Sequence, residues 1–135
     1  MIKTICYISD SIKYDNLDKI KALYKRAKAN NLKNNITGVL IYKSGNFLQV
    51  LEGKPANVDF TFNKIKHDPR HSNLFKVIDT EIEHRIFEDY NFGFTIINNK
   101  DELKNLLEYF DWLKAAENKI ANKVIAMVEN FIDYE

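Results

Sequence analysis

The order in which two hydrophobic periodicities alternate along the chain constrains its fold more than any other feature. Residues 2–9, IKTICYIS, alternate well enough between apolar and polar side chains to predict a strand. Apolar residues then recur at the helical spacing, at Leu17, Ile20, Tyr24 and Ala27. A strand followed by an amphipathic helix is therefore predicted, with the helix ending near Asn30 and Asn31.

A hairpin and a second helix come next. The apolar runs 36–42 and 47–51 are joined by the turn-forming residues Lys43, Ser44, Gly45 and Asn46. Pro55 suits the first turn of a helix, because its missing N–H group has no helical partner there. That helix carries apolar residues at helical spacing, Val58, Phe62 and Ile65, and is predicted to stop before Pro69.

A further strand over 74–82 completes the order strand, helix, strand, strand, helix, strand. This order is typical of an α+β fold, namely a ferredoxin-like βαββαβ sheet with two helices on one face. Residues 89–97, DYNFGFTII, predict a fifth strand, and two C-terminal helices follow it.

The two C-terminal helices form a separate unit in this prediction. Asn99 and Glu102 have the spacing of a capping box at the start of the first helix. The last helix, roughly 115–132, has an apolar surface wider than one narrow stripe. Packing onto the bare face of the sheet is favoured as the reason, and a subunit or partner interface is the alternative. We expect a domain over 1–97 and a helical extension over 98–135.

Composition excludes several functional classes. The 135 residues include 20 Lys or Arg and 19 Asp or Glu, giving a formal charge of +1 and no field that would attract nucleic acid. The single cysteine, Cys6, excludes an internal disulfide, and no apolar run approaches the roughly 20 residues of a membrane helix. We expect a cytoplasmic protein with no nucleic-acid or membrane partner.

Familiar catalytic motifs are absent from the sequence. Its four glycines form no GxGxxG or P-loop arrangement, and neither GxSxG nor HExxH occurs. His67 and His71 are four residues apart, but Pro69 interrupts the helix that would align them. We therefore predict no metal site and no enzymatic activity.

A glutamine inside an apolar strand is the strongest functional signal. In NFLQVLEG, residues 46–53, Gln49 lies among residues dense enough to be buried on both faces. A buried amide without partners costs about 1–3 kcal/mol, so something must bond to it. The first and third strands are central neighbours in this topology, which allows Tyr7 and Gln49 to face each other in a polar pocket between the helices.

At this point the sequence resembles the BLUF domains, a family of blue-light receptors that bind flavin. The resemblance covers Tyr7 to about Phe94 and depends on several spaced elements taken together. These elements are Tyr7-Ile8-Ser9, Ala27-Lys28-Ala29-Asn30-Asn31, Ile36-Thr37-Gly38-Val39-Leu40, Phe47-Leu48-Gln49-Val50-Leu51-Glu52-Gly53 and Asp68-Pro69-Arg70-His71.

The resemblance implies that a flavin lies between the two helices, with FAD expected and FMN or riboflavin as alternatives. It makes Tyr7 and Gln49 the photoactive pair. It also implies a set of flavin-binding residues, Leu23, Asn30, Asn31, Gln49, Ile65, Asp68 and Arg70. Of these, Leu23 and Ile65 would sandwich the ring and Asn31 would bind its polar edge.

The implied mechanism is transfer of an electron and a proton from Tyr7 to the excited flavin through Gln49. After the charge returns, Gln49 remains rotated, tautomerised or both. The family commonly has Trp and Met in the fifth strand, where this sequence has Tyr90 and Phe92. We therefore expect signalling to depend on Tyr90 and Phe92 and not on a methionine relay.

The chain resembles short members of the family, which act by binding other proteins. A downstream protein partner, a homo-oligomer, or both are expected. The alternatives are a small flavin-dependent oxidoreductase, a hydrolase on the same scaffold, and a light-independent flavin-binding module, because fold alone excludes none of them.

Overall fold

The computed structural model describes residues 1–11, 17–43, 45–68, 71–88, 94–96, 100–115 and 118–133. The strands are β1 (Ile2–Ser11), β2 (Thr37–Lys43), β3 (Asn46–Gly53), β4 (His71–Ile82) and β5 (Phe94–Ile96). The helices are α1 (Leu17–Lys33), α2 (Pro55–Lys66), α3 (Lys100–Lys114) and α4 (Lys119–Asp133).

Four of the strands form an antiparallel sheet in the order β2-β3-β1-β4. This arrangement matches the α+β sheet predicted from the alternating periodicities. Of the fifth strand predicted over 89–97, the structure describes only 94–96, which form a three-residue strand parallel to β2. The remaining predicted residues lie outside the described part of the chain.

α1 extends further than predicted. Its predicted end near Asn30 and Asn31 is wrong, because the N–H group of Asn34 still bonds the Asn30 carbonyl at 3.1 Å. The helix is terminated after Lys33, where Asn35 adopts a positive φ of 53°. Asparagine tolerates this left-handed conformation better than most residues, so the signal for the helix end was Asn35.

α4 begins later than predicted. The prediction began the last helix near residue 115, whereas α4 starts at Lys119. The Asn118 side-chain oxygen accepts hydrogen bonds from the backbone N–H groups of Ile120 and Ala121, at 3.0 Å each. Asn118 is therefore the N-cap that sets this boundary.

The two faces of the sheet have different coverings. On one face α1 and α2 pack over buried residues that include Ile5, Tyr7 and Leu51. On the other face Cys6, Leu48 and other sheet residues share one buried cluster with α3 and α4. Ala121, Val124, Ile125 and Val128 of α4 belong to this cluster, so packing on the sheet, the favoured reason for its wide apolar surface, is confirmed.

Gly38 permits the close approach of β2 and β3. Its φ is +150°, and a Cβ atom added there would lie 1.8 Å from the carbonyl oxygen of Val50. Any larger residue would push the two strands apart near Leu40, which pairs with Gln49.

Gly38→Ala is expected to lower the free energy of unfolding by about 3 kcal/mol or more, because backbone atoms must move. Gly45→Ala is the matched control, since its φ is +86° but an added Cβ meets no described atom within 4 Å. It should cost only about 1 kcal/mol. Chemical unfolding of both variants checks this, and equal losses would contradict the role assigned to Gly38.

Candidate functional site

The centre of the site is a side-chain pair on the two central strands. Tyr7 and Gln49 are directly opposed in the antiparallel register of β1 and β3. Both are buried, with Tyr7 1% and Gln49 4% exposed. The Tyr7 phenol donates a hydrogen bond to Gln49 Oε1. The prediction that these two residues face each other is confirmed.

Burial fixes the protonation state of Tyr7. The ring packs edge-on against Phe62 with centroids 5.8 Å apart. Desolvation raises the pKa of the Tyr7 phenol well above its ordinary range, and nearby Cys6 and Asp68 add to the effect. The phenol therefore keeps its proton and remains a hydrogen-bond donor at physiological pH.

A cleft lies between α1 and α2, with the Tyr7–Gln49 pair at its floor. It has about 770 Å³ of empty space and is open to solvent. It is lined by predicted site residues from the two helices and the turn after α2, which are Leu23, Asn30, Asn31, Ile65 and Asp68. Arg70, also predicted, lies outside the described residues.

The walls of the cleft combine apolar and amide groups. Leu23 on α1 is 9% exposed, and Ile65 on α2 is half-buried. Asn30 and Asn31 lie in the last turns of α1, where Asn34 also lines the cleft and binds the Asn30 carbonyl through Nδ2 at 3.0 Å. Asn34 was not predicted as a cleft residue, because it reaches the cleft only when α1 continues beyond Asn31.

Two cations lining the cleft were also missed. Arg26 and Lys64 are exposed and come from opposite helices. In the sequence Arg26 belongs to a basic cluster that is typical of a solvated helix face. Only the packing of α1 against α2 shows that Arg26 and Lys64 line the same cleft.

Thr61 is a further cleft residue that the sequence did not predict. It is 7% exposed, and its hydroxyl has no hydrogen-bond partner within the described part of the chain. The cleft therefore offers a ligand one unbonded hydroxyl, that of Thr61, as well as apolar walls. Its mixed lining of apolar, amide and charged side chains is typical of small-molecule sites. A planar aromatic ring with polar edges, such as a flavin, fits this set of side chains.

A second cleft of about 880 Å³ lies between α1 and β2. It shares Asn31, Leu40 and Gln49 with the first cleft and is also lined by Glu88. Residue 88 is the last one described before 89–93, and the predicted signalling residues Tyr90 and Phe92 lie outside the described part of the chain.

Glu52 carries a buried network on the opposite face of the sheet. Its carboxylate accepts hydrogen bonds from the backbone N–H groups of Ile86 and Phe87, at 2.7 and 2.6 Å, and from the Thr37 hydroxyl at 2.7 Å. Arg85 donates to the Thr37 hydroxyl at 2.9 Å and to the Glu52 carbonyl at 3.0 Å. Glu52 thereby ties β3 to the segment after β4.

The pKa of the Glu52 carboxyl is set by opposing effects. Burial raises this pKa above its ordinary range, and the hydrogen bonds from Thr37, Ile86 and Phe87 act against that rise. Each carboxylate oxygen accepts from a backbone N–H group that cannot itself accept, so the ionised form satisfies these donors best.

Within the described ranges, no three His, Cys, Asp or Glu side chains are grouped so as to hold a metal ion. In the same part of the chain, no helix has both the length and the apolar character needed to cross a bilayer.

Comparison with known proteins identifies relatives of the chain. A family model described as "BLUF: Sensors of blue-light using FAD" matches residues 2–93. The chain is 30% identical over 78 residues to the "Blue light- and temperature-regulated antirepressor BluF" of Escherichia coli (strain K12), covering 58% of this chain and 19% of that protein. It is 34% identical over 84 residues to "Photoactivated adenylate cyclase subunit alpha" of Euglena gracilis, covering 62% of this chain and 8% of that protein. The matched segment is therefore less than one fifth of either relative.

A solved structure is similar over nearly the whole chain. "Klebsiella pneumoniae BlrP1 with FMN and cyclic diGMP, no metal ions" superposes with a TM-score of 0.76 at 25% identity. The superposition covers 99% of this chain and 35% of that one.

Glu52→Ala is expected to lower the free energy of unfolding by about 3 kcal/mol or more, since it leaves two buried N–H groups without an acceptor. Glu83→Ala is the control, because the Glu83 side chain is exposed. It should change the free energy by less than about 0.5 kcal/mol. Urea unfolding followed by circular dichroism measures both, and a Glu52→Ala variant as stable as wild type would refute the anchoring role.

Proposed function

The chain belongs to the BLUF family of blue-light sensors using FAD, and on that premise we propose that Tyr7 and Gln49 form its photoactive pair. The observation that carries this proposal is the buried hydrogen bond between their side chains at the floor of the cleft. A phenol bonded to an amide is suited to electron and proton transfer and to an exchange of hydrogen bonds.

The cleft supplies residues suited to holding a flavin. We propose that Leu23 and Ile65 contact the two faces of the ring and that Asn31 binds its polar edge. Asn30, Asp68 and Arg70 complete the proposed set. FAD is favoured by the family, and FMN is present in the Klebsiella structure. Both carry phosphates, which suits the positive charges of Arg26 and Lys64.

The proposed photochemistry begins at Tyr7. When bound, an excited flavin supplies an oxidant that takes up an electron and a proton. Tyr7 provides both, because burial keeps the proton on its phenol and the phenol already donates to Gln49. We propose that Gln49 passes the proton and that charge return leaves its amide in a changed arrangement.

An amide is suited to store this change. Gln49 now accepts from Tyr7 through Oε1. Rotation would present the Nε2 donor to the phenol, which would then accept the hydrogen bond. Tautomerisation would exchange donor and acceptor without rotation. Either change leaves two discrete hydrogen-bond networks, because a dry pocket penalises intermediate arrangements.

The proposed output route runs from β3 to the segment beyond β4. Glu52 lies three residues after Gln49 and holds the backbone of Ile86 and Phe87. That segment continues to Tyr90 and Phe92, which we propose as signalling residues. A displacement of β3 would therefore reach them through Glu52 without a methionine relay.

The proposed output is a light-dependent protein interaction or assembly. We propose residues 1–97 as the sensor domain and 98–135 as the extension that carries the interaction. In support, α3 exposes two large apolar side chains, with Trp112 59% and Leu107 39% exposed. The E. coli relative is called an antirepressor, a role that acts through another protein.

Blue light should shift the visible band of the flavin-loaded wild type reversibly to the red, and both Tyr7→Phe and Gln49→Leu should abolish the shift while retaining flavin. Tyr42→Phe is the control, since Tyr42 packs on Phe47 and does not line the cleft. Absorption spectra before and after illumination measure the effect. A wild-type band that is bleached by a reduced nicotinamide dinucleotide, which donates a hydride to the flavin, would favour an oxidoreductase, and an unmoved band would favour a light-independent binder.

Illumination should change the mass of the protein measured by light scattering after gel filtration, and Trp112→Ala should weaken association at least about tenfold if Trp112 anchors the interface. Lys104→Ala is the control on the same helix, because the Lys104 side chain is 74% exposed and charged. Identical masses in dark and light would refute light-dependent assembly.

A further inference from the structure

Thr61 has a buried hydroxyl that no described residue of the protein satisfies. It lies inside α2 and is 7% exposed, and its Oγ1 atom has no hydrogen-bond partner among the residues that the structure describes. A threonine inside a helix ordinarily bonds a backbone carbonyl of the preceding turn. The absence of that bond at Thr61 leaves both its donor and its acceptor capacity unused.

This hydroxyl lies at the cleft and not in the general core. Thr61 lines the same cleft as Tyr7 and Gln49. Ile65, one turn further along α2, lines it as well, so both residues lie on the helix stripe that faces the cleft. Because the Tyr7 phenol already donates to Gln49 Oε1, that pair does not require Thr61.

Burying a hydroxyl without a partner is unfavourable, and valine would fill the same space without this penalty. A ligand in the cleft that accepts the hydrogen bond would remove the penalty. An oxidised flavin offers several acceptors, in its ring carbonyl oxygens and ring nitrogens and in its ribityl oxygens.

We propose that Thr61 is a flavin-binding residue whose hydroxyl donates a hydrogen bond to an acceptor atom of the bound flavin. The inference rests on the proposed function, because it requires the flavin to occupy this cleft. It adds to the site a hydrogen bond from α2 that is independent of Tyr7 and Gln49.

The sheet contains a matched control. Thr4 is fully buried, and its hydroxyl also has no partner among the described residues. It pairs in register with Glu52 on β3, and alternation along β1 places it on the same face as Cys6, away from the cleft. Thr4 therefore shares the burial and the unsatisfied hydroxyl of Thr61 but not its position.

The test compares Thr61→Val, Thr61→Ser and Thr4→Val in two measurements, riboflavin and FMN affinity by fluorescence titration and stability of the flavin-free protein. Thr61→Val should weaken flavin binding about fivefold to tenfold, the effect of losing one buried hydrogen bond. Thr61→Ser should stay within about threefold of wild type, and Thr4→Val should bind as wild type does.

The flavin-free Thr61→Val protein should be as stable as wild type or more stable, because it loses no hydrogen bond. A purely structural role would instead lower stability and affinity together. A shift of the dark absorption maximum of the bound flavin in Thr61→Val, absent in Thr4→Val, would place the acceptor on the ring, and an affinity loss without a shift would place it on the ribityl chain.

Unchanged affinity in Thr61→Val, with wild type showing a normal red shift, would overturn this inference and leave the proposed function intact. Equal affinity losses in Thr61→Val and Thr4→Val would also overturn it. A wild type that binds no flavin would overturn the proposed function, and the inference with it.

Discussion

The antiparallel register of β1 and β3 is the constraint on which the site depends. It sets Tyr7 directly opposite Gln49, with both side chains on the face covered by α1 and α2. Because side chains alternate along a strand, a slip of one residue would carry one member of the pair to the other face. This register therefore preserves the chemistry as well as the core, and Gly38 lets β2 lie close to β3 on the opposite side from β1.

The sheet connects two environments of different character. On the cleft face, the buried phenol and amide lie beside space that a ligand can fill. On the other face, side chains pack continuously with α3 and α4, and the buried carboxylate of Glu52 is fully engaged by hydrogen bonds. Gln49 and Glu52 belong to the same strand, β3. A rearrangement of Gln49 on the cleft face can therefore strain the hydrogen bonds that Glu52 makes with Ile86 and Phe87 on the other face. Packed interiors respond to such strain by switching between discrete arrangements and not by gradual deformation.

The sequence was sufficient for features that depend on local pattern. Periodicity predicted the order of elements through β4, and the apolar setting of Gln49 predicted a buried partner, which is Tyr7. Features that depend on how elements pack were missed. Arg26 looks like a solvated helix residue until α2 is placed opposite it, and Asn34 lies beyond the predicted end of α1. Thr61 has no sequence signal that separates it from an ordinary core threonine. The end of α1 was misplaced because Asn30, Asn31 and Asn35 are chemically equivalent terminators, and only the backbone shows which one adopts positive φ.

A ligand site differs from a protein core because some of its buried polar groups lack hydrogen-bond partners until the ligand binds. The cleft contains a buried hydroxyl that no described residue bonds, and apolar walls in contact with solvent, and both features are unfavourable for the folded protein without a ligand. A ligand that binds only the folded state stabilises it in proportion to the logarithm of its concentration over Kd. Flavin binding would thus be part of the folding energetics of this domain. The same coupling makes the hydrogen-bond network around Gln49 sensitive to the electronic state of the ligand, which is the property a light sensor requires.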